Sequence, residues 1–280
     1  MQFEKWQALG NDYLIIEASA LPWELTAARV KRLCDGHVGI GADGVLLLDR
    51  SEDPAYVATL RIFNPDGSEA ELSGNGSREA IMYLREHGHT TLDQFAILTV
   101  AGPVRPTITG PNTCAVDIGR AATVSKDFPS GPSDGIGDLV ADGRSWHFQH
   151  VSIGNPQCAI ACETLEDLDL AVIGPAIEHH SLFPNRTNVS WYRALAPDLI
   201  RARIFERGAG ETLSSGTGAS GAAVAHHLAG GASHVTVRLD GGDLEVEVAE
   251  DLTVTLSGWA VPVYAGVLAD NFLKELNETQ

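Results

Sequence analysis

At 280 residues the chain is long enough for one large domain or two of ordinary size. Its 37 acidic against 19 basic residues give a formal charge of -18, which excludes binding along a nucleic-acid phosphate backbone or on an anionic membrane surface. An acidic protein that binds an anion must do so locally, with helix termini and a few arginines, of which Arg207 is the leading candidate.

Cys34, Cys114, Cys158 and Cys162 are too sparse and irregular for a disulfide framework or a zinc site, and are expected as small core residues in a reducing cytoplasm. No apolar run approaches the roughly 18 residues of a membrane span. Glu4 and Lys5 stand where a signal peptide would place a basic and then an apolar region.

Met1 to Ala18 reads as two strands joined by a turn at Gly10-Asn11-Asp12, with Asn11 at the loop tip. Thr26 can cap a helix running to about Asp35. The following Gly39-Ile-Gly-Ala-Asp-Gly44 has the spacing of a dinucleotide fingerprint, but it follows a helix and opens the apolar run Val45 to Leu48, the reverse of the required context. Val57 to Phe63 is a strand entering the turn Asn64-Pro65-Asp66-Gly67, and a helix extends to about Glu86. A meander of Phe95 to Val100, Val104 to Ile108 and Cys114 to Ile118 follows, then a Pro/Gly/Ser-rich loop over Lys126 to Asp138.

Val151-Ser-Ile-Gly-Asn-Pro-Gln157 then restarts the pattern, with Gly154-Asn155 as counterpart of Gly10-Asn11. A helix over Val172 to His180 and a strand entered at Asn185-Arg-Thr-Asn188 lead to a helix over Gly218 to Ala229, so rich in Ala and Gly that it is expected to be buried on all sides. Strands are expected at Val235 to Leu239, Leu244 to Val248, Leu252 to Leu256 and Val261 to Val267, with Asn271 to Gln280 an acidic, exposed end. The pairs His179-His180 and His226-His227 point to different faces of any regular element and lack further ligands at metal spacing, so they read as surface or capping histidines.

The organising feature is a repeat. Arg61-Ile-Phe-Asn-Pro-Asp-Gly-Ser-Glu-Ala-Glu-Leu-Ser-Gly-Asn-Gly76 returns 142 residues later as Arg203-Ile-Phe-Glu-Arg-Gly-Ala-Gly-Glu-Thr-Leu-Ser-Ser-Gly-Thr-Gly218, with seven of sixteen positions identical. Each copy reads as strand, loop and helix N-terminus, and such a terminus is an anion site. Two copies facing each other across a pseudo-twofold axis would hold one carboxylate between them, with Ser73 and Ser215 on opposite sides. The plainer alternative is a duplicated structural cap.

These motifs together resemble the diaminopimelate epimerase family: Gly-Asn-Asp near the N-terminus, Gly-Ala-Asp-Gly, Asn-x-Asp-Gly-Ser-Glu-Ala-Glu-x-x-Gly-Asn-Gly, Gly-Asn-Pro, Phe-Pro-x-Arg-Thr-Asn-Val and Glu-Arg-Gly-x-Gly-Glu-Thr-Leu-x-x-Gly-Thr-Gly-Ala. They run in family order from Lys5 to Ala219. The resemblance implies an α+β fold of two pseudo-symmetric domains, each a curled, mostly antiparallel sheet around a central helix, with the active site in the interdomain cleft. The domains would be 1–118, joined by 262–280, and 119–261. It further implies a dimeric, cytoplasmic isomerase of the lysine and peptidoglycan precursor pathway that acts on a small amino acid without pyridoxal phosphate or any other cofactor.

Carried over residue by residue, the family's substrate contacts fall on Asn11, Asn64, Asn155, Asn188, Glu206 and Arg207, and its helix-terminal backbone sites on Gly74-Asn75 and Gly216-Thr217. The family's two catalytic cysteines, however, fall on Ser73 and Ser215. A thiol becomes a thiolate readily at a helix N-terminus, whereas a serine hydroxyl needs an adjacent base. Glu206 is positioned in the motif to serve Ser215, while Gln157, where the family often has His, leaves Ser73 without such a partner. Three readings follow: an epimerase or related amino-acid racemase working through serine, a hydroxy-amino-acid dehydratase, or an amino-acid-binding pseudoenzyme.

Overall fold

The computed structural model describes residues 1–71 and 73–279; Leu72 of the first long motif and Gln280 of the predicted exposed end lie outside them. In chain order the first half carries β1 (Gln2–Ala8), β2 (Asn11–Glu17), α1 (Ala27–Cys34), β3 (Val45–Arg50), β4 (Ala58–Phe63), β5 (Glu69–Ala70) and α2 (Gly74–Glu86). After these come β6 (Ile97–Thr99), β7 (Gly102–Val104), β8 (Pro106–Gly110) and β9 (Thr113–Arg120). The second half carries β10 (Ile136–Ala141), β11 (Arg144–Ser152), β12 (Pro156–Ala161), α3 (Leu170–Glu178), β13 (Asn188–Ala196), β14 (Leu199–Glu206), β15 (Gly210–Thr212) and α4 (Gly216–Leu228). It ends with β16 (His234–Leu239), β17 (Gly242–Val248), β18 (Thr253–Trp259), β19 (Val261–Val267) and α5 (Asp270–Glu278). The chain divides into two compact units, Met1–Val116 with Gly258–Gln280, and Asp117–Ser257.

In the first unit the strand order is β19-β1-β2-β3-β4-β6-β7, with β5 on β4. Two neighbouring pairs are parallel, β2 with β3 and β4 with β6. A parallel pair needs a crossover, which α1 and α2 supply, whereas hairpins suffice elsewhere. In the second unit the order runs β10-β11-β12-β13-β14-β16-β17-β18, with β15 on β14. Its parallel pairs, β12 with β13 and β14 with β16, are bridged by α3 and α4. Each unit is therefore the same mostly antiparallel sheet with the same two crossover helices.

Both faces of each sheet are covered. In the first unit Leu14, Ile16, Val45 and Leu47 join α1 residues Val30 and Leu33 and the α5 residue Leu276 in one core cluster. The alternate residues Ile15, Leu46 and Leu48 are also buried, and α2 packs on β1, β2, β3, β4 and β19. This two-sided burial accounts for the unbroken apolar run at Val45 to Leu48. In the second unit Trp146, Phe148, Ile160, Trp191 and Phe205 surround Ile173 and Ile177 of α3, while α4 packs on β11, β12, β13, β14, β16 and β17. A Cβ on Gly218 would sit 2.7 Å from Ile204, so the Ala/Gly composition of α4 is what allows its close approach.

The first hairpin turns at Leu9-Gly10, both with positive φ (54° and 82°), not at Gly10-Asn11-Asp12. A two-residue loop of this type matches the twist of the flanking strands. Asn11 therefore opens β2, paired with Ala8, instead of sitting at a loop tip. The strand expected over Val104 to Ile108 is broken at Arg105 into β7 and β8, with Pro106, which has no N–H for a ladder, at the start of β8. The expected exposed acidic end is largely the helix α5, anchored by the fully buried Leu276. Buried Arg29 of α1 donates to the carbonyls of Leu276 at 2.8 Å and Asn277 at 3.3 Å, where the negative end of the α5 dipole lies.

Replacing that guanidinium is expected to free the C-terminal helix. Arg29→Ala should lower the free energy of unfolding by about 2–3 kcal/mol, the value of charged hydrogen bonds to buried carbonyls, and should raise amide exchange across residues 270–278 ahead of the rest of the chain.

Candidate active site at two helix N-termini

The two copies of the repeat fold alike. β4 leads through the turn at Asn64 to β5, and β14 leads to β15. Arg61 bonds Glu69 at 2.8 and 2.9 Å across the first pair, and Arg203 bonds Glu211 at 2.8 Å across the second. Phe63 faces Glu69 and Phe205 faces Glu211 in the same register. These bridges fix the path by which each chain segment arrives at its helix.

Ser73 is the N-cap of α2 and Ser215 the N-cap of α4, both with extended backbone. Ser73 Oγ accepts the Gly76 N–H at 3.1 Å, and Ser215 Oγ accepts the Gly218 N–H at 3.2 Å. The first N–H groups of the two helices, at Gly74 and Gly216, have no acceptor within the helix and stand at the positive end of its dipole.

The partners of the two hydroxyls differ. Ser215 donates to Glu206 Oε2 at 3.0 Å, and Thr212 donates to Glu206 Oε1 at 2.8 Å. Burial raises the Glu206 carboxyl above its ordinary range, and these two hydrogen bonds only partly oppose the shift. Ser73 instead receives the Tyr13 phenol at 3.3 Å. The sequence left Ser73 without a partner; the structure supplies Tyr13, which sequence reasoning missed. Strand periodicity held a signal, since Tyr13 lies two residues from Asn11 on β2 and so on the same face.

Around each N-terminus an asparagine meets the second helical residue. Asn75 donates to Asn11 Oδ1 at 3.3 Å, and Asn11 in turn donates to Asp43 Oδ2 at 2.8 Å. In the second unit Asn155 donates to Thr217 Oγ1 at 3.2 Å and accepts from Gln157 at 2.7 Å. Asn188 Oδ1 accepts the Arg207 N–H at 2.7 Å, and the Arg207 guanidinium reaches the Asn185 carbonyl at 2.9 Å. Asn64 stands apart from the Asn11 and Asn75 contact, bonding Ser68 Oγ at 2.9 Å within its own turn.

Behind Ser73, α2 buries Arg78 and Glu79 almost completely. Arg78 bonds Asn75 Oδ1. Burial, with Asp12 and Asp43 adding to it, drives the Glu79 carboxyl well above the usual carboxylate range, against the opposing influence of Arg78 and the Tyr13 N–H. Among the described residues no group of three or more His, Cys, Asp or Glu could hold a metal ion, and no helix is long and apolar enough to cross a membrane. His226 and His227, in the last turn of α4, bond the Pro197 and Ala232 carbonyls at 2.9 and 3.2 Å.

The family described as Diaminopimelate epimerase matches residues 3–124 and 149–261. The diaminopimelate epimerase of Synechococcus elongatus is 40% identical over 275 residues, covering 95% of this chain and 97% of that protein. That of Moorella thermoacetica is 38% identical over 283 residues, covering 95% and 98%. Among solved structures, a phenazine biosynthesis protein of the PhzF family from Bacillus anthracis has a TM-score of 0.67 at 19% identity, covering 96% of this chain and 99% of that one. A hydroxyproline epimerase from Agrobacterium vitis has a TM-score of 0.64 at 14% identity, covering 95% and 91%.

The fold is the one these structures share, and the protein that adopts it here is an enzyme of the isomerase class. The chain belongs to the diaminopimelate epimerase family.

Because the Glu79 carboxyl titrates above its unfolded value, the stability tied to its proton is complete at acid pH and is lost as pH rises through the folded pKa. Glu79→Gln, which keeps the neutral shape, is expected to unfold at the same temperature as the parent near pH 4, about where a free carboxyl titrates. The variant should be increasingly the more stable of the two at higher pH, as paired thermal melts across the range would read.

Proposed function

We propose that this enzyme interconverts LL- and meso-diaminopimelate by proton transfer at the α-carbon, without a cofactor, using Ser73 and Ser215 where the family it resembles uses cysteines. The carrying observation is the Ser215 hydroxyl, capped on α4 and donating to Glu206 at 3.0 Å. A serine hydroxyl is too weak an acid to serve alone, and a neighbouring carboxylate that takes its proton makes its oxygen a base. Glu206 suits the task because burial lifts its affinity for a proton toward the working range.

In this reading the N–H groups at Gly74-Asn75 and Gly216-Thr217 bind the carboxylate at the reacting carbon, as helix termini bind anions. Asn11, Asn64, Asn155, Asn188 and Arg207 bind the distal amino-acid group. Glu206, with both oxygens already engaged by Ser215 and Thr212, leans to the acid–base role over substrate binding. A site whose polar groups await a second zwitterion rejects amino acids that lack one, since those groups would be left unpaired. Relatives named as diaminopimelate epimerases support a cytoplasmic setting, and the resemblance supports a homodimer of twice the 29.7 kDa chain, which sedimentation would test.

The test is α-proton exchange, followed by NMR on LL- and meso-diaminopimelate in deuterated buffer, beside a Ser73→Cys, Ser215→Cys double variant. Exchange by the parent above a no-enzyme control is expected, and faster exchange by the cysteine variant. Exchange by the cysteine variant alone would reduce the parent to a binding protein, and silence in both would reject diaminopimelate as substrate. Glu206→Gln is expected to slow exchange by about 10²-fold, the usual contribution of a positioned base. Since Glu206 must be ionised to take the Ser215 proton, the parent's rate should fall as pH drops through a pKa above the ordinary carboxylate range. Glu206→Gln should lose that acid limb.

A further inference from the structure

A serine oxygen has one hydrogen to give and two lone pairs to receive with. At Ser215 one lone pair takes the Gly218 N–H and the hydrogen goes to Glu206, so what remains is a lone pair, the equipment of a base. At Ser73 the Gly76 N–H and the Tyr13 phenol both donate to the oxygen, so what remains is the hydrogen, the equipment of an acid. The two caps share backbone geometry but have opposite hydrogen-bond polarity.

Tyr13 is built into place for this contact. It is 6% exposed, on β2 between Asp12 and Leu14. Its ring lies against Gly44, where a Cβ would stand 2.6 Å from the ring carbon Cε1, so a side chain at position 44 would push the phenol off its line to Ser73. β2 and β3, which bracket this contact, are locked by the Leu14 N–H to the Gly44 carbonyl at 3.0 Å.

We propose that Tyr13 is the positioning residue that makes Ser73 the proton donor of the pair, filling from the first unit the role Glu206 fills for Ser215. This rests on the proton-transfer reading above. In the direction where Ser215 acts as base, the α-carbon–hydrogen bond breaks and leaves its electron pair on carbon. The proton passes to Ser215 Oγ as the Ser215 hydrogen passes to Glu206. The carbon pair then takes the Ser73 hydrogen, and the Tyr13 hydrogen moves to Ser73 Oγ, leaving a tyrosinate. The reverse reaction runs each transfer backwards, and between successive turnovers in the same direction water takes the proton from Glu206 and returns one to Tyr13. A phenol is the apt partner because it is a far stronger acid than a serine hydroxyl, with an ordinary pKa of about 10. It therefore holds the negative charge that Ser73 alone would hold poorly.

Charged groups surround this strand: Asp12, paired with Lys5 at 2.8 Å, together with Asp43, and from α2 the buried Arg78 and Glu79. The test therefore separates the phenol from its setting by removing only the hydroxyl. Tyr13→Phe keeps the ring against Gly44 and is expected to lower kcat by about 10²-fold at nearly constant KM. The parent's rate should fall at alkaline pH as the phenol ionises, and the variant should lose that limb. Adding Ser73→Cys to Tyr13→Phe is expected to restore turnover, because a thiol gives its proton without a phenol behind it.

Equal rates and pH profiles for parent and Tyr13→Phe would overturn the proposal alone. A slow Tyr13→Phe that Ser73→Cys does not rescue would also overturn it, by reducing Tyr13 to a packing residue. A parent with no exchange at any pH would overturn the serine-based reading of the reaction, and this inference with it.

Discussion

The structure depends on a helix N-terminus that is both capped and buried. Capping by Ser73 and Ser215 satisfies one orphan N–H of each helix and ties the serine oxygen to the helix start. Burial of the helix behind the cap fixes that oxygen in place, because neither α2 nor α4 can slide without disturbing the sheet that curls over it. The parallel crossovers serve the same demand, since α2 links the parallel strands β4 and β6 and α4 links the parallel strands β14 and β16.

The two units meet the demand with different chemistry. α4 is rich in Ala and Gly, and its neighbours close in until Ile204 leaves no room for a side chain at Gly218. α2 keeps Arg78 and Glu79 under the sheet, a costly choice unless the charges are neutralised or paired. Arg78 reaches Asn75, which reaches Asn11, so part of that cost goes into orienting the residues at the N-terminus. The second unit reaches a like result with neutral groups, Gln157 holding Asn155 and Asn155 holding Thr217.

How far the chain could be read in advance depended on sequence distance. The strand, turn and capped helix of each repeat were legible because one segment of sixteen residues carries them twice. The contact of Ser215 with Glu206 was legible because both lie in that segment, nine residues apart. The contact of Ser73 with Tyr13 spans sixty positions and depends on the register of β2 against β3, which no local pattern states. The hairpin turn was misplaced because Leu9, a buried apolar residue, takes a conformation usually left to glycine. α5 was hidden because its anchoring partner, Arg29, belongs to a helix more than two hundred residues earlier.

The return of β19 to pair with β1 sets an order on synthesis. Residues 117–257 complete the second unit while the first, though made earlier, still lacks its edge strand and α5. On the ribosome the later unit therefore closes first, and the N-terminal sheet waits with β1 open along the side that β19 will occupy. A chain cut short after residue 257 holds one finished unit and one exposed sheet edge, so quality control meets the fault at the first unit, far from the cut.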